Sequence, residues 1–346
     1  MNLNKLIRKN VLAMKAYSAA RYLVNYEDMQ FLDANENPFG EWNRYPDPLQ
    51  KKLKAKLAQS KGCNPDTIVF GNGSDEILDL LIRAFCEPGL DNVVTHAPGY
   101  GMYQTLCELN NVALKEVLLN PDFSLSAKAM LDSCNENTKI MILCSPNNPT
   151  GNSFKLSDMQ YLAQNFKGIL VIDEAYIDFS AQESMLSTMD KFDNLVIIQT
   201  FSKAWGMAAL RTGMAFMHPE LAALLNKIKL PYNINLFSQQ FIVNELDNAT
   251  LMHEKVALLL SERELLRTQL LQLPYITEVF PSDANFILFR SEYHSQLQDY
   301  LLQHQFIVRS RHTMPLCNNT LRITIGSPEQ NRQLIALLQS FKPSAI

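Results

Sequence analysis

Gly168-Ile169-Leu170-Val171-Ile172-Asp173-Glu174-Ala175-Tyr176 holds the key to the fold: a short apolar run that stops abruptly at two carboxylates. An uninterrupted apolar run of this length suits a strand buried on both faces, because a strand with one wet face would alternate. Similar runs recur on either side, at Thr67–Phe70, Val93–Thr95, Lys139–Cys144, Leu195–Gln199 and Met214–Phe216. Amphipathic stretches such as Asp75–Phe85 and Leu156–Phe166 separate them. That alternation predicts an α/β domain around a mainly parallel sheet. In such sheets ligands sit beyond the carboxyl ends of the strands. There the sequence places Gly71-Asn72-Gly73, Ser145-Pro146-Asn147-Asn148, Asp173 and Lys203, each after a different run.

The pattern changes from about Leu251. A long helical stretch, Leu251–Leu273, is followed by strand-like runs at Ala284–Phe289, Phe306–Val308 and Leu321–Ile325, and Asn331–Phe341 closes as a helix. The expected organisation is a large domain over 51–250, a smaller α+β domain over 251–346, and an N-terminal segment, 1–50, packing with the smaller domain.

Bulk properties narrow the class. The chain has 346 residues, 47% hydrophobic and 19% charged, an ordinary globular balance. A net charge of −4 argues against a nucleic-acid partner, which favours a basic face. Six scattered cysteines without a C-x-x-C pair suit reduced thiols and supply no zinc-type spacing, so no metal is expected. No run approaches the roughly 20 apolar residues of a spanning helix, so no membrane contact is expected and the expected location is the cytoplasm.

The chemistry concentrates between Asp173 and Arg211. Thr200-Phe201-Ser202-Lys203-Ala204-Trp205-Gly206 follows a strand-like run, and Arg211 comes eight residues after Lys203. A buried lysine beside a hydroxyl can form a Schiff base, an arginine nearby can hold a phosphate, and a carboxylate ending an apolar strand can pair with a protonated ring nitrogen. Those are the needs of pyridoxal 5′-phosphate, whose electronics a protein tunes through an acidic partner at the pyridine nitrogen. Taken alone, Lys203 would read as a solvated loop lysine, Asp173 as a turn or cap residue, and Tyr176 as a packed aromatic. Their succession favours the cofactor, with Lys203 as its Schiff-base lysine.

Other positions fit the same chemistry less specifically. Gly71-Asn72-Gly73-Ser74-Asp75-Glu76 joins a strand to a helix, and helix N-terminal amides bind phosphate. It matches neither G-x-G-x-x-G nor a Walker loop, which disfavours a nucleotide. Asn148 lies in the rigid loop Ser145-Pro146-Asn147-Asn148-Pro149-Thr150-Gly151, and Tyr100 in Ala97-Pro98-Gly99-Tyr100-Gly101 could stack on a ring. Arg309 and Arg322 flank strand-like runs and could recognise carboxylate or phosphate through bidentate forks.

Together with the Ser-Pro-Asn-Asn-Pro-Thr-Gly loop, Asp-Glu-Ala-Tyr and Ser-Lys-x₇-Arg, three further stretches carry a resemblance. They are Leu32-Asp33-Ala34-Asn35-Glu36-Asn37-Pro38, Arg44-Tyr45-Pro46 and Leu321-Arg322-Ile323-Thr324-Ile325-Gly326. Over about residues 17–326 the chain resembles the histidinol-phosphate aminotransferase family, within the fold-type I, class II pyridoxal-phosphate aminotransferases. The resemblance implies a large domain with a mostly parallel seven-stranded sheet, a smaller α+β domain, and a homodimer with shared active sites. It also implies roles. Lys203 would hold the cofactor and shuttle a proton; Asp173 would pair with the ring nitrogen; Tyr176 and Asn148 would meet the phenolic oxygen; Tyr100 would stack on the ring. Ser202, Arg211 and the amides of Ser74 and Asp75 would take the phosphate, with Tyr45 reaching it from the other subunit. Arg322 would grip the carboxylate of glutamate, and Tyr17, Arg309 and Arg322 the phosphate of histidinol phosphate. The implied reaction is reversible amino transfer between glutamate and imidazole-acetol phosphate, in histidine biosynthesis. Aromatic-amino-acid aminotransferases and threonine-phosphate decarboxylases share the fold and remain alternatives, as does a catalytically silent cofactor-binding regulatory domain. The segment 311–319 departs from the family pattern by adding Arg311 close to Arg309.

Overall fold

The computed structural model describes residues 3–17 and 29–344. Its first elements are α1 (Lys9–Ala13), α2 (Lys51–Lys61), β1 (Ile68–Asn72), α3 (Ser74–Phe85), β2 (Asn92–Ala97), α4 (Met102–Leu109), β3 (Ala113–Leu118), α5 (Ala127–Asp132) and β4 (Thr138–Cys144). Then come α6 (Leu156–Asn165), β5 (Ile169–Asp173), β6 (Leu195–Thr200), β7 (Thr212–Met217), α7 (Pro219–Ile228) and α8 (Leu236–Glu245). The seven strands form one sheet in the order β1-β7-β6-β5-β4-β2-β3. Only β7 runs antiparallel to its neighbours.

Alternate residues of each central strand enter opposite cores. Leu170, Ile172, Met141, Leu143 and Ile197 face one, with Leu53 and Leu57 of α2, Leu162 of α6 and Ile242 of α8. Ile169, Val171, Ile140, Ile142 and Val196 face the other, with Ile77 and Leu81 of α3, Leu106 of α4 and Leu225 of α7. Two covered faces explain why the runs are continuously apolar. β3 escapes that signal because it is an edge: Ala113-Leu114-Lys115-Glu116-Val117-Leu118 is half solvated, and its charges blunt the apolar pattern.

The second sheet follows α9 (Ala249–Leu271) and contains β8 (Glu278–Val279), β9 (Phe286–Arg290), β10 (Arg309–Ser310) and β11 (Thr320–Thr324). Its order is β10-β11-β9-β8, antiparallel throughout, and α10 (His294–Gln303) and α11 (Pro328–Ser340) accompany it. The strand expected at Phe306–Val308 begins instead at Arg309. Phe306 N–H is spent on Leu301 O (2.8 Å) in the turn that closes α10. A third apolar cluster joins the two sheets, with Met252 and Val256 of α9 against Tyr176, Phe179, Ala204 and Phe286.

The N-terminal segment was expected to pack with the smaller domain; its described start, up to Leu12, packs on the large domain. Ile7 and Val11, four residues apart, join the large domain's core with residues of α3 and α7. Arg8 N–H donates to Ala84 O (2.9 Å), its guanidinium pairs with Glu87 (3.2 Å), and Lys227 Nζ donates to Val11 O (2.9 Å). Further on, Tyr45 stacks on Tyr232 and Lys229 Nζ bonds Pro48 O and Gln50 Oε1. Residues 18–28 of the expected 1–50 segment lie outside the described residues.

Candidate active site

A cavity of about 670 Å³ opens at the carboxyl ends of the parallel strands. Its floor and near wall come from the residues just past β1 (Gly73, Ser74, Asp75), β2 (Gly99, Tyr100), β4 (Asn148), β5 (Asp173, Tyr176) and β6 (Ser202, Lys203, Arg211). The far wall comes from the smaller sheet and its loop, through Arg309, Arg311, Met314 and Arg322. Eleven of the thirteen residues expected from sequence thus line one space. Tyr17 and Tyr45 do not: they are 65% and 50% exposed and absent from the cavity wall, Tyr45 stacking on Tyr232 instead.

Asp173 lies at the back, 3% exposed. Its Oδ2 accepts from Tyr103 Oη (2.8 Å) and its Oδ1 from Ala175 N–H (3.2 Å). Burial pushes its pKa up to about 6, and those two donors act against the shift. A carboxylate so desolvated is stabilised by a cationic hydrogen-bond donor beside it.

Lys203 differs from the buried lysine expected. By area it is exposed, because it borders the open cavity. The walls still desolvate its ammonium and lower its pKa, and the Arg322 charge adds to that effect. Its Nζ stands 5.5 Å from the centre of the Tyr176 ring. Burial raises the pKa of Tyr176, so its hydroxyl keeps its proton and remains a donor.

At one end of the cavity the backbone is shaped for an anion. Gly73, the residue before α3, has φ +80° and contributes no side-chain cap to the helix. The first-turn amides therefore lack a side-chain acceptor from that position. A Cβ on Gly73 would stand 2.8 Å from Arg211 Nη2. Arg211 adopts the left-handed conformation (φ 50°, ψ 45°), and its carbonyl accepts from Gly73 N–H (2.7 Å). For an L-residue that conformation costs roughly 1–2 kcal/mol, and here it brings the guanidinium over the helix terminus. Glu76, by contrast, turns away: its Oε2 accepts from Asn233 (2.8 Å) and from Asn72 N–H.

At the other end none of the cations is paired with a described carboxylate. Arg322 Nη1 donates to Asn148 Oδ1, and its guanidinium lies 5.0 Å from the Phe286 ring. Arg322 Nε and Arg311 Nε are buried without a hydrogen-bond partner. Desolvation lowers the pKa of both guanidinium groups, that of Arg311 to about 10. Among the described residues, five cationic side chains and two carboxylates line the cavity, a balance that calls for anionic ligands.

These features fit pyridoxal 5′-phosphate: an uncapped helix terminus kept open by a glycine, a buried carboxylate able to accept one more donor, and a desolvated amine between them. Among the described residues no group of three or more His, Cys, Asp or Glu side chains is placed to hold a metal, and no helix is long and apolar enough to cross a membrane. Sequence reading missed Tyr103, although its position three residues after Tyr100 puts both rings on one side of the start of α4; they meet edge-on at 5.5 Å. It also missed His96, fully buried, which braces the β2 and β4 ends by accepting from Cys144 N–H (3.1 Å).

Residues 25–338 match the family model for aminotransferases of class I and II. The chain is 46% identical over 337 residues to a histidinol-phosphate aminotransferase from Christiangramia forsetii, covering 96% of each protein. It is 47% identical over 342 residues to one from Parabacteroides distasonis, covering 99% of each. Among solved structures, the histidinol-phosphate aminotransferase of Sinorhizobium meliloti in complex with pyridoxal-5′-phosphate superposes with a TM-score of 0.79 at 25% identity, over 89% of this chain and 90% of that one. Sheet order, cavity and sequence agree: the chain belongs to the class I and II aminotransferases, and within them to the histidinol-phosphate aminotransferase family.

Proposed function

We propose that this chain moves an amino group between L-histidinol phosphate and 2-oxoglutarate, giving imidazole-acetol phosphate and glutamate, as a step of histidine biosynthesis in the cytoplasm. The observation that carries this reading is the cation surplus of a cavity that pairs Lys203 with Asp173. In this reading one anion binds at the α3 terminus and a second among the smaller domain's arginines, as a phosphorylated cofactor and a phosphorylated substrate require; both groups of residues line the one cavity.

Pyridoxal 5′-phosphate supplies the electron sink that lets the bond between the substrate's Cα and its hydrogen break heterolytically. Lys203 would hold it covalently through Nζ, and the same amine, when free and neutral, would accept the proton from the substrate's Cα. Lowered basicity suits both roles, since a neutral amine is both nucleophile and base. Asp173 accepts the hydrogen bond of the protonated ring nitrogen. The amides of Ser74 and Asp75, the Ser202 hydroxyl and the Arg211 fork hold the phosphate, and Tyr100 covers the ring. Asn148 has its Oδ1 engaged by Arg322 and therefore turns only amide donors to the phenolic oxygen, beside the Tyr176 hydroxyl. Arg322 grips the carboxylate of the amino donor, and with Arg309 the phosphate of histidinol phosphate.

Tyr45 and Tyr17 enter this scheme only from outside the cavity of their own chain. A homodimer in which Tyr45 reaches the partner's phosphate site meets that condition. The exposed aromatic group formed by Trp42, Phe237 and Phe241 would give such a dimer an apolar surface to bury. Sedimentation of the loaded enzyme as an active monomer would remove the dimer from the scheme.

The function is tested by a substrate panel on the purified, cofactor-loaded protein. Glutamate formation from 2-oxoglutarate should depend on histidinol phosphate. Carbon dioxide release from threonine phosphate without transamination, or a preference for phenylalanine or tyrosine over histidinol phosphate, would overturn the substrate assignment.

A further inference from the structure

Among the described cations that line the cavity, Arg311 is the one to which the proposed cofactor and substrate contacts give no role. β10 pairs Arg309 directly with Arg322 of β11, and the ladder continues through Arg311 N–H to Thr320 O (2.9 Å). Residues two apart along a strand share a face, so Arg309 and Arg311 stand side by side with Arg322 opposite, and all three line the cavity. Like charges opposite one another across strands are destabilising. None of the three guanidinium groups forms an ion pair with a described carboxylate, and the Nε atoms of Arg311 and Arg322 are buried without acceptors. The turn that follows is anchored: Met314 N–H bonds Arg311 O (2.9 Å), and Cys317, fully buried, belongs to the large domain's core. The backbone of Arg311 is thus anchored, its guanidinium stands near two other cations, and its Nε has no acceptor.

We infer that Arg311 completes a three-guanidinium cradle which selects a dianionic phosphate monoester over a monoanionic carboxylate as the anionic group next to the substrate's amine-bearing carbon. This rests on the substrate reading proposed above. Two forks, Arg309 and Arg322, suffice for a carboxylate, which offers two oxygens. A phosphate monoester offers three oxygens and close to two negative charges near neutral pH, so a third donor makes contacts that a carboxylate cannot match. Arg311 therefore sets specificity by what it rejects as well as by what it holds.

The test compares kcat/KM for L-histidinol phosphate, unphosphorylated L-histidinol and glutamate in the loaded wild-type enzyme, Arg311→Gln and Arg311→Lys. The expected result for Arg311→Gln is a loss of about ten- to a hundredfold in the preference for histidinol phosphate over histidinol, the usual weight of a hydrogen bond to a charged group. A smaller loss is expected with glutamate, and the phosphate effect should fall mainly in KM. Arg311→Lys should recover part of the preference, because it restores the charge but not the fork. Equal losses on all three amines, or an unchanged preference for the phosphorylated amine, would overturn the inference while leaving the proposed function standing. A wild-type enzyme indifferent to the phosphate would overturn the substrate reading and the inference with it. Thermal melting of each loaded variant reports folding, and the within-variant ratio cancels any general loss of active enzyme.

Discussion

Tyr103 Oη donates to Asp173 Oδ2 across 2.8 Å, inside a site where both side chains are all but sealed from solvent. The bond does not touch the reacting atoms; it favours the ionised form of the one carboxylate the ring nitrogen requires. Removing the donor in Tyr103→Phe leaves an apolar ring of nearly the same shape and pushes Asp173 further toward its neutral form. Cofactor affinity should fall about tenfold or more, the weight of a hydrogen bond to a buried charge, and the fall should be larger below pH 7 than above it. A titration that returns wild-type affinity at every pH would show that the hydroxyl does not position the acid.

Asp173 itself opposes the stability of the cofactor-free fold. Burial holds its pKa up to about 6 against an ordinary 3.8, so the native state binds the proton more tightly than the unfolded chain. Its stabilising contribution is complete below about pH 4 and is lost as pH rises toward 6; above that, the ionised group costs on the order of 3 kcal/mol. Asp173→Asn without cofactor should therefore unfold at a higher urea concentration than wild type at pH 8, with the gap closing toward pH 4. The same variant should lose most of its cofactor affinity. Lower stability at pH 8 in the cofactor-free variant would contradict the sign of this argument.

How much of this was legible beforehand follows from which residues signal locally. Ile169–Ile172 and Leu195–Gln199 announced central strands because both their faces are covered, and the site residues follow strand ends by the logic of parallel sheets. β3 was hidden by Lys115 and Glu116, which an edge strand tolerates. The docking of Ile7 and Val11 on the large domain was hidden because an apolar pair specifies that it is buried, not where. Tyr103 was missed for a similar reason: its role exists only because α4 carries it across to Asp173, seventy residues away in sequence. Lys203 was identified, but its exposure into the cavity could not be read from the turn that carries it.

Lys203 borders the cavity with its ammonium desolvated and beside the Arg322 charge, both of which favour the neutral amine. Borohydride treatment of the loaded enzyme followed by peptide mapping should label Lys203. In Lys203→Ala the visible absorbance of the covalently held cofactor should vanish, with nearly all activity. The rate of cofactor capture by wild type should rise with a midpoint below pH 10.5, the ordinary lysine value. Label on another side chain, or on none, would dismiss the assignment of the attachment site.

Gly73 tests the anion site from the backbone side. At φ +80° a side chain is strained, and its first carbon would stand 2.8 Å from Arg211 Nη2. In Gly73→Ala either the guanidinium retreats from the helix terminus or the loop between β1 and α3 shifts, and both separate donors that converge on one phosphate. The strain alone should cost about 1–3 kcal/mol of stability. Retreat of Arg211 adds a second effect with its own readout. Affinity for pyridoxal 5′-phosphate should fall much more than affinity for unphosphorylated pyridoxal, since only the former engages the terminus. If the two affinities fall in parallel, the damage is to the fold as a whole, and the α3 terminus is not where the phosphate is held.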